Sequence, residues 1–209
     1  TAMVSEEAVL TSTGWTANVG LIDSIAVRNK PIYIDQKAHA SLWDGARMSG
    51  AKIIPCRHNQ SSDLQRKIEK FGPGIVCIDS FYSANGAVAD LAAYVDICEK
   101  GNCVLVVDEA HSFAILGKNG GGLAVELGLA ERIPFRTVSF SKGLGGFGGA
   151  IVCSRELAWW LTHRSHPIIF SSSVMPSESA ANCAALKVVM RHPELGKACL
   201  ERAQELRDI

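Results

Sequence analysis

The sequence has no surplus of either charge, no long apolar run and no N-terminal signal peptide. Its 21 Lys and Arg residues balance 21 Asp and Glu residues, so the formal net charge is zero. That balance gives no electrostatic reason to expect a nucleic acid or an anionic membrane as a partner. No apolar run approaches the ~18 residues of a membrane span. We therefore expect a cytoplasmic protein without a membrane span. Because Thr1 is not an initiator, we also expect a longer parent protein.

Motifs of the kind that bind metals are also missing. The chain has seven cysteines, an odd number, and none belongs to a CxxC pair. Most of them sit inside apolar runs, which favours buried, reduced thiols over disulfides. The six histidines form no HExxH or other paired spacing, so we predict no metal site. The cysteines are Cys56, Cys77, Cys98, Cys103, Cys153, Cys183 and Cys199.

Short apolar runs alternate with helix-period segments along the whole chain. Runs such as Val104–Val107 are apolar at every position, as expected of strands buried on both faces. The alternation predicts the α/β class: a mostly parallel sheet flanked by helices on both faces. The predicted strands are Ala8–Thr11, Ile32–Ile34, Lys52–Cys56, Ile75–Ile78, Val104–Val107, Thr137–Phe140, Ala150–Cys153 and Ile168–Phe170.

Helix starts and ends follow from the segments between these strands. Ser61 or Ser62 suits an N-cap, and Gly72 and Gly101 suit helix ends. The predicted helices are Trp15–Val27, Ala40–Met48, Asp63–Phe71, Asp90–Glu99, Glu156–His163 and Ser177–Arg191.

Asp108 ends the apolar run Val104–Val107, so we expect it at the carboxyl end of a central strand, where open α/β sheets bind ligands. A carboxylate leaving a fully apolar strand is costly unless a cation meets it. An Asp in this place can also simply cap the following turn. Only the other residues of the predicted site distinguish a ligand-binding Asp108 from one that caps a turn.

Lys142 follows another strand and lies among the small residues of Ser139–Gly146. Lysine is uncommon in such a setting because desolvation penalises the ammonium. The same desolvation favours the free amine that a Schiff base needs. The alternative is a solvated loop lysine. Together, a strand-end Asp108 and Lys142 fit pyridoxal 5′-phosphate (PLP), with the Asp holding a pyridine nitrogen protonated and the Lys bonded to the aldehyde carbon.

The segment Thr11–Asn18 places hydroxyls and a glycine before a predicted helix. Backbone N–H groups and the helix dipole at such a start can hold a phosphate. By itself the segment is an ordinary helix start. Two other matches fail: Gly143–Gly148 fits GxGxxG but runs into a strand, and Asp108–His111 spells a helicase box without any phosphate loop.

Read together, these motifs resemble the α-oxoamine synthases, a branch of the fold-type-I PLP enzymes. The resemblance covers nearly the whole chain, and within the branch Ser12–Asn18 is similar to the bacterial autoinducer synthases. It implies a fold-type-I large domain over residues 1–209, with the family's N-terminal arm and C-terminal small domain absent. The small domain normally carries the arginine that binds the amino acid's carboxylate.

The resemblance implies which residues surround the PLP ring. Lys142 matches the Schiff-base lysine, and Asp108 and His111 match the pair that binds the pyridinium nitrogen and the phenolic oxygen. Ser83 matches a serine near that same oxygen. His39 matches the histidine that stacks on the ring; the alternative is a histidine that only begins a helix.

The resemblance also implies a shared phosphate site. Gly14 and Trp15 match positions whose backbone amides hold the phosphate, and Ser139 stands where the family usually has Thr. Ser171 and Ser172 match hydroxyls that reach the phosphate from the partner subunit, which implies a homodimer with shared active sites. A serine-rich turn within one subunit is the alternative.

The implied reaction condenses an amino acid with an acyl-CoA, with decarboxylation, to give an aminoketone. Two alternatives remain open. One is another fold-type-I enzyme, an aminotransferase or a lyase, and the other is a truncated core without catalysis.

Overall fold

The computed structural model describes residues 2–208, so the two outermost residues of the predicted 1–209 domain lie outside it. Strands β1 to β7 are Glu7–Thr11, Ile32–Asp35, Ile53–Cys56, Ile75–Asp79, Val104–Asp108, Phe135–Ser139 and Gly149–Cys153. Helices α1 to α9 are Gly14–Ile25, Ala40–Met48, Ser61–Phe71, Leu91–Lys100, Leu123–Glu126, Arg155–Arg164, His166–Ile169, Pro176–Arg191 and Glu194–Arg207. Two short 3-10 helices cover Lys118–Gly120 and Ala130–Arg132.

The strands form one sheet in the order β1-β7-β6-β5-β4-β2-β3. Strands β2 to β6 run parallel to their neighbours among themselves, whereas β7 is antiparallel to both β6 and β1. The predicted fold class, a mostly parallel sheet with helices on both faces, is therefore confirmed.

Alternate residues of the central strands face opposite helix layers. Ile32, Ile34 and Val106 pack in one apolar cluster with residues of α1, α2 and α6. Their neighbours Tyr33 and Val107 pack in a second cluster, with residues of α3, α4 and α5. The strands are thus buried on both faces, which explains why their sequences are apolar throughout.

Two local expectations are wrong. Residues Ile168–Phe170 do not form a strand, because His166–Ile169 is a short helix with Pro167 in its first turn. A short apolar run does not by itself distinguish a strand from a buried helical turn. The second wrong expectation is the N-cap of α3. Helix α3 begins at Ser61, so the N-cap is Gln60, whose side chain makes no cap hydrogen bond.

Other predicted features of the chain ends and caps stand as follows. Gly72 and Gly101 end α3 and α4 as expected. Helix α9 was not predicted. Cys183 and Cys199 are exposed, whereas the remaining five cysteines are buried or half-buried, and all seven are free thiols. No helix within residues 2–208 is long and apolar enough to cross a membrane.

The parallel strands end in polar residues at one edge of the sheet. The last residues of β2, β4, β5 and β6 are Asp35, Asp79, Asp108 and Ser139, and all four are buried. Carboxyl ends of parallel strands are where open α/β sheets bind ligands. This edge is therefore the place to examine for a site.

Candidate active site

Asp108 lies at the centre of this edge with only 6% of its surface exposed. Its Oδ1 accepts a hydrogen bond of 2.8 Å from the backbone N–H of Ala110, so it does cap the following turn. Its Oδ2 accepts a second hydrogen bond of 2.6 Å, from Nδ2 of Asn18 on α1. The capping interpretation is thus correct for one oxygen, while the other oxygen is bound by the Asn18 amide.

Asp79 ends the neighbouring strand and is paired in register with Asp108. Burial and the adjacent Asp108 carboxylate raise the pKa of Asp79 to about 8. Its two oxygens accept hydrogen bonds of 3.3 and 3.1 Å from the backbone N–H of His39. Two buried carboxyl groups side by side favour a proton on one of them.

Lys142 contacts His111, since its Nζ lies 2.7 Å from Nε2 of that imidazole. Burial and the nearby Lys142 ammonium lower the pKa of His111, against an opposing effect of Asp108. A neutral imidazole accepts a hydrogen bond from the Nζ–H of Lys142, so the geometry and the lowered pKa of His111 agree. Lys142 itself is exposed, so the expected desolvation of its ammonium is not found in this chain.

His39 begins α2, as the alternative interpretation required. Its Nδ1 accepts a hydrogen bond of 3.3 Å from the backbone N–H of Ser41. Its ring also meets the edge of Trp15, with 5.8 Å between ring centroids at an angle of 79°. His39 therefore stands between the starts of α1 and α2, beside Asp79.

The start of α1 lies against the end of β6. Thr13 is the N-cap, and Gly14 and Trp15 occupy the first two helical positions, whose N–H groups have no partner within a helix. A Cβ on Gly14 would come within 2.7 Å of Cβ of Ser139. Only glycine allows this close approach. Ser139 Oγ in turn lies 2.9 Å from Oγ of Ser141.

Three serines predicted for the site make no hydrogen bond to the site residues described above, within residues 2–208. Ser83 is exposed in the turn after β4. Ser171 and Ser172 are exposed between α7 and α8, and Ser171 Oγ donates to the carbonyl oxygen of Pro167. They follow a helix, not the strand that was predicted before them. Their roles stay predictions.

The glycine-rich loop after Lys142 is held by α8. Asn182 Oδ1 accepts a hydrogen bond of 3.2 Å from the N–H of Phe147, and its Nδ2 donates to the Phe147 carbonyl at 2.7 Å. A Cβ on Gly146 would collide with the same amide, at 1.9 Å from Oδ1. Asn182 thus fixes the backbone that follows Lys142.

Sequence reasoning missed several polar residues that organise the site. Asn18, Ser41 and Thr137 form a buried network behind Asp108. Asp79 could have been found by the argument used for Asp108, because it too ends an apolar strand. For Asn18 the available signal was an Asn inside a helix, where it is a poor helix former.

Comparison with known proteins decides the family. The whole chain, residues 1–209, matches the family described as aminotransferase class I and II. The chain belongs to that family. It is 39% identical over 199 residues to the CAI-1 autoinducer synthase of Vibrio campbellii, covering 95% of this chain and 51% of that protein. It is 33% identical over 208 residues to the 8-amino-7-oxononanoate synthase of Thermoanaerobacter pseudethanolicus, covering 97% and 53%.

Solved structures support the same family as the sequence comparisons. A high-resolution serine palmitoyltransferase structure with PLP superposes with a TM-score of 0.86 at 31% identity, covering 90% of this chain and 48% of that one. The resemblance to the α-oxoamine synthases is confirmed by these relatives, and so is PLP as the cofactor. The chain spans about half the length of the relatives it matches.

The residues at the sheet edge fit this cofactor. PLP has a basic ring nitrogen, an aldehyde and a phosphate, and the edge offers a buried carboxylate, an amine beside an imidazole, and a helix start opened by Gly14. Each chemical group of PLP thus finds a complementary partner along one edge of the sheet.

Proposed function

We propose that this chain is the cofactor-binding core of an α-oxoamine synthase that condenses an amino acid with an acyl-CoA and releases CO₂ and CoA to give an aminoketone. The observation that carries the proposal is the contact of 2.7 Å between Lys142 Nζ and His111 Nε2, at the sheet edge where Asp108 is buried. The names of the relatives support this chemistry over other reactions of the family.

When bound, PLP supplies the electrophilic aldehyde and the electron-accepting ring for chemistry at the α-carbon of an amino acid. Asp108 Oδ2 would hold a proton on the ring nitrogen, and His39 would cover one face of the ring. Lys142 Nζ would hold the aldehyde carbon and, once released, take the proton from the substrate α-carbon. His111 Nε2, within reach of Nζ, and Ser83 would lie near the phenolic oxygen.

The phosphate would be held from two sides. The N–H groups of Gly14 and Trp15 point out of the start of α1, and the Ser139 hydroxyl lies beside them. Ser171 and Ser172 would complete the site from the partner subunit of a homodimer, a role their exposure permits. Residues 1–209 would form the large domain, to which the parent protein adds an N-terminal arm and a small domain, working in the cytoplasm.

The test measures the release of free CoA thiol from the acyl-CoA substrate. The parent protein, loaded with PLP, is mixed with alanine and acetyl- or decanoyl-CoA, and thiol release is compared with CO₂ release. We expect both in equal amounts and only when amino acid and thioester are both present. A Lys142→Ala variant and a reaction without amino acid are the controls.

Three results would contradict the proposal. Transfer of the amino group to a keto acid without thiol release would make the protein an aminotransferase, and cleavage of the amino acid alone would make it a lyase. PLP binding without turnover of any of these substrates by the parent protein would support a non-catalytic core.

A further inference from the structure

Asn18 is a polar side chain in the middle of α1 with only 2% of its surface exposed. Its Oδ1 accepts a hydrogen bond of 2.6 Å from Oγ1 of Thr137 on β6. Its Nδ2 donates one proton to Asp108 Oδ2 at 2.6 Å and the other to Ser41 Oγ at 2.8 Å. The amide nitrogen thus faces two oxygen atoms and the amide oxygen faces a hydroxyl, so the orientation of the amide follows from its three partners.

The same hydrogen bonds determine where the next proton points. Ser41 is fully buried, and its Oγ accepts from Asn18. Its own proton is then directed to Nδ1 of His39, 2.7 Å away. The backbone N–H of Ser41 also points at Nδ1, at 3.3 Å. With two donors aimed at it, Nδ1 is the acceptor of the ring, and the proton of the neutral imidazole lies on Nε2.

We propose that Asn18 and Ser41 are positioning residues that hold His39 as its Nε2–H tautomer. One buried amide thereby links the two groups that would meet the cofactor from different sides, the carboxylate of Asp108 and the ring of His39. Asp79 supports the arrangement because it binds the backbone N–H of His39. Thr137 completes it by fixing the amide oxygen of Asn18.

The consequence for chemistry rests on the proposed function. A His39 ring held with its proton on Nε2 presents a hydrogen-bond donor at the edge facing away from Ser41. It would therefore polarise an acyl carbonyl and would not act as the base. The proton of the substrate α-carbon is then left to Lys142.

The test measures the tautomer directly. The protein is labelled with ¹⁵N-histidine, and the ring nitrogen shifts of His39, assigned with His39→Gln, are recorded in mildly alkaline buffer with and without PLP. We expect the Nε2–H tautomer of His39 to dominate in the protein without substitutions. Ser41→Ala and Asn18→Ala should each lower the ratio of Nε2–H to Nδ1–H roughly fivefold, the effect of one hydrogen bond worth about 1 kcal/mol.

The matched control is Ser24→Ala. Ser24 is also buried in α1, but its Oγ donates to the Gly20 carbonyl, away from the site. This variant should leave the His39 tautomer unchanged. If Asn18→Ala does not fold, Ser41→Ala, which removes a single oxygen atom, decides the matter alone.

Two results would overturn the inference. One is an Nδ1–H tautomer of His39 in the protein without substitutions, and the other is an unchanged tautomer ratio in a folded Ser41→Ala variant. Because the readout needs no substrate, it is independent of thiol release. A tautomer shift without any synthase activity would leave the positioning role intact and reject the proposed reaction. Synthase activity without the shift would do the opposite.

Discussion

Asp79 and Asp108 end neighbouring parallel strands as directly paired residues, and both carboxyl groups are buried. Burial and this neighbour raise the pKa of Asp79 from 3.8 to about 8. The folded chain therefore keeps a proton that the unfolded chain releases. The contribution of Asp79 to stability is fully present below its pKa in the unfolded chain. It is lost as the pH rises through its pKa in the folded chain.

We accordingly expect Asp79→Asn to flatten the pH dependence of unfolding. In the cofactor-free protein, the free energy of unfolding should fall between pH 3.8 and about 8, by at most about 1.4 kcal/mol per pH unit. The variant should lose that part of the slope, as measured by urea unfolding at a series of pH values. Equal slopes for the parent and the variant would show that Asp79 is ionised throughout.

Asp63 provides a control of opposite sign. Burial raises its pKa, but hydrogen bonds from Lys67 and from the backbone of Arg57 outweigh this and lower it to about 2. Its contribution is present above the unfolded pKa and is lost as the pH falls toward 2. Asp63→Asn should therefore destabilise the protein at neutral pH.

Lys142→Ala should abolish covalent attachment of PLP, because it removes the amine that faces His111. The measurement is borohydride reduction of the PLP-loaded protein followed by peptide mass spectrometry. Lys118→Ala, in the 3-10 helix, is the control and should retain the adduct. A reduced adduct mapped to Lys37, Lys118 or Lys187 would contradict the assignment.

The shared phosphate site can be tested with mixed dimers. Chains carrying Lys142→Ala are combined with chains carrying both Ser171→Ala and Ser172→Ala. If each site takes its serines from the partner, one site of the mixed dimer regains all native groups, and PLP binding recovers there while the other site loses it. No recovery, or a monomer that binds PLP normally in sedimentation, would show that the serines serve their own subunit.

Arg136 and Glu109 form a buried ion pair beside the site, next in sequence to Thr137 and Asp108. Arg136 Nη1 lies 3.9 Å from Glu109 Oε2, with side chains 2% and 0% exposed. Arg136→Met should destabilise the fold by up to about 3–5 kcal/mol. The full loss should appear only above pH 7, because burial raises the pKa of Glu109 to about 7 and the carboxyl is partly protonated below that pH. Adding Glu109→Gln should recover part of this loss, as measured by urea unfolding.

Arg132 is the surface counterpart, since its pairs with Asp96 and Glu99 are exposed. Arg132→Met should change the free energy of unfolding only slightly, because exposed ion pairs contribute little to stability. If Arg136→Met costs no more than this control, the buried pair contributes nothing to stability.

Local patterns in the sequence determined the architecture and the chemically distinctive residues. The apolar β-branched runs of β2, β4 and β5 are buried on both faces over most of their length, so the parallel sheet followed from them. Asp108 and Lys142 stood out because charged groups at strand ends are costly without a partner. The run Ile168–Phe170 was misjudged because three apolar residues have no periodicity of their own.

Only the tertiary structure decided how the site is wired. Asn18 and Asp108 are 90 residues apart in the sequence and meet because α1 packs against β6, the strand next to β5 in the sheet. The contact of Lys142 with His111, the hold of Asn182 on the loop at Phe147 and the tautomer of His39 likewise depend on side chains from different elements. Periodicity specifies which face of an element is buried, but the identity of a hydrogen-bond partner depends on the packing of whole helices and strands.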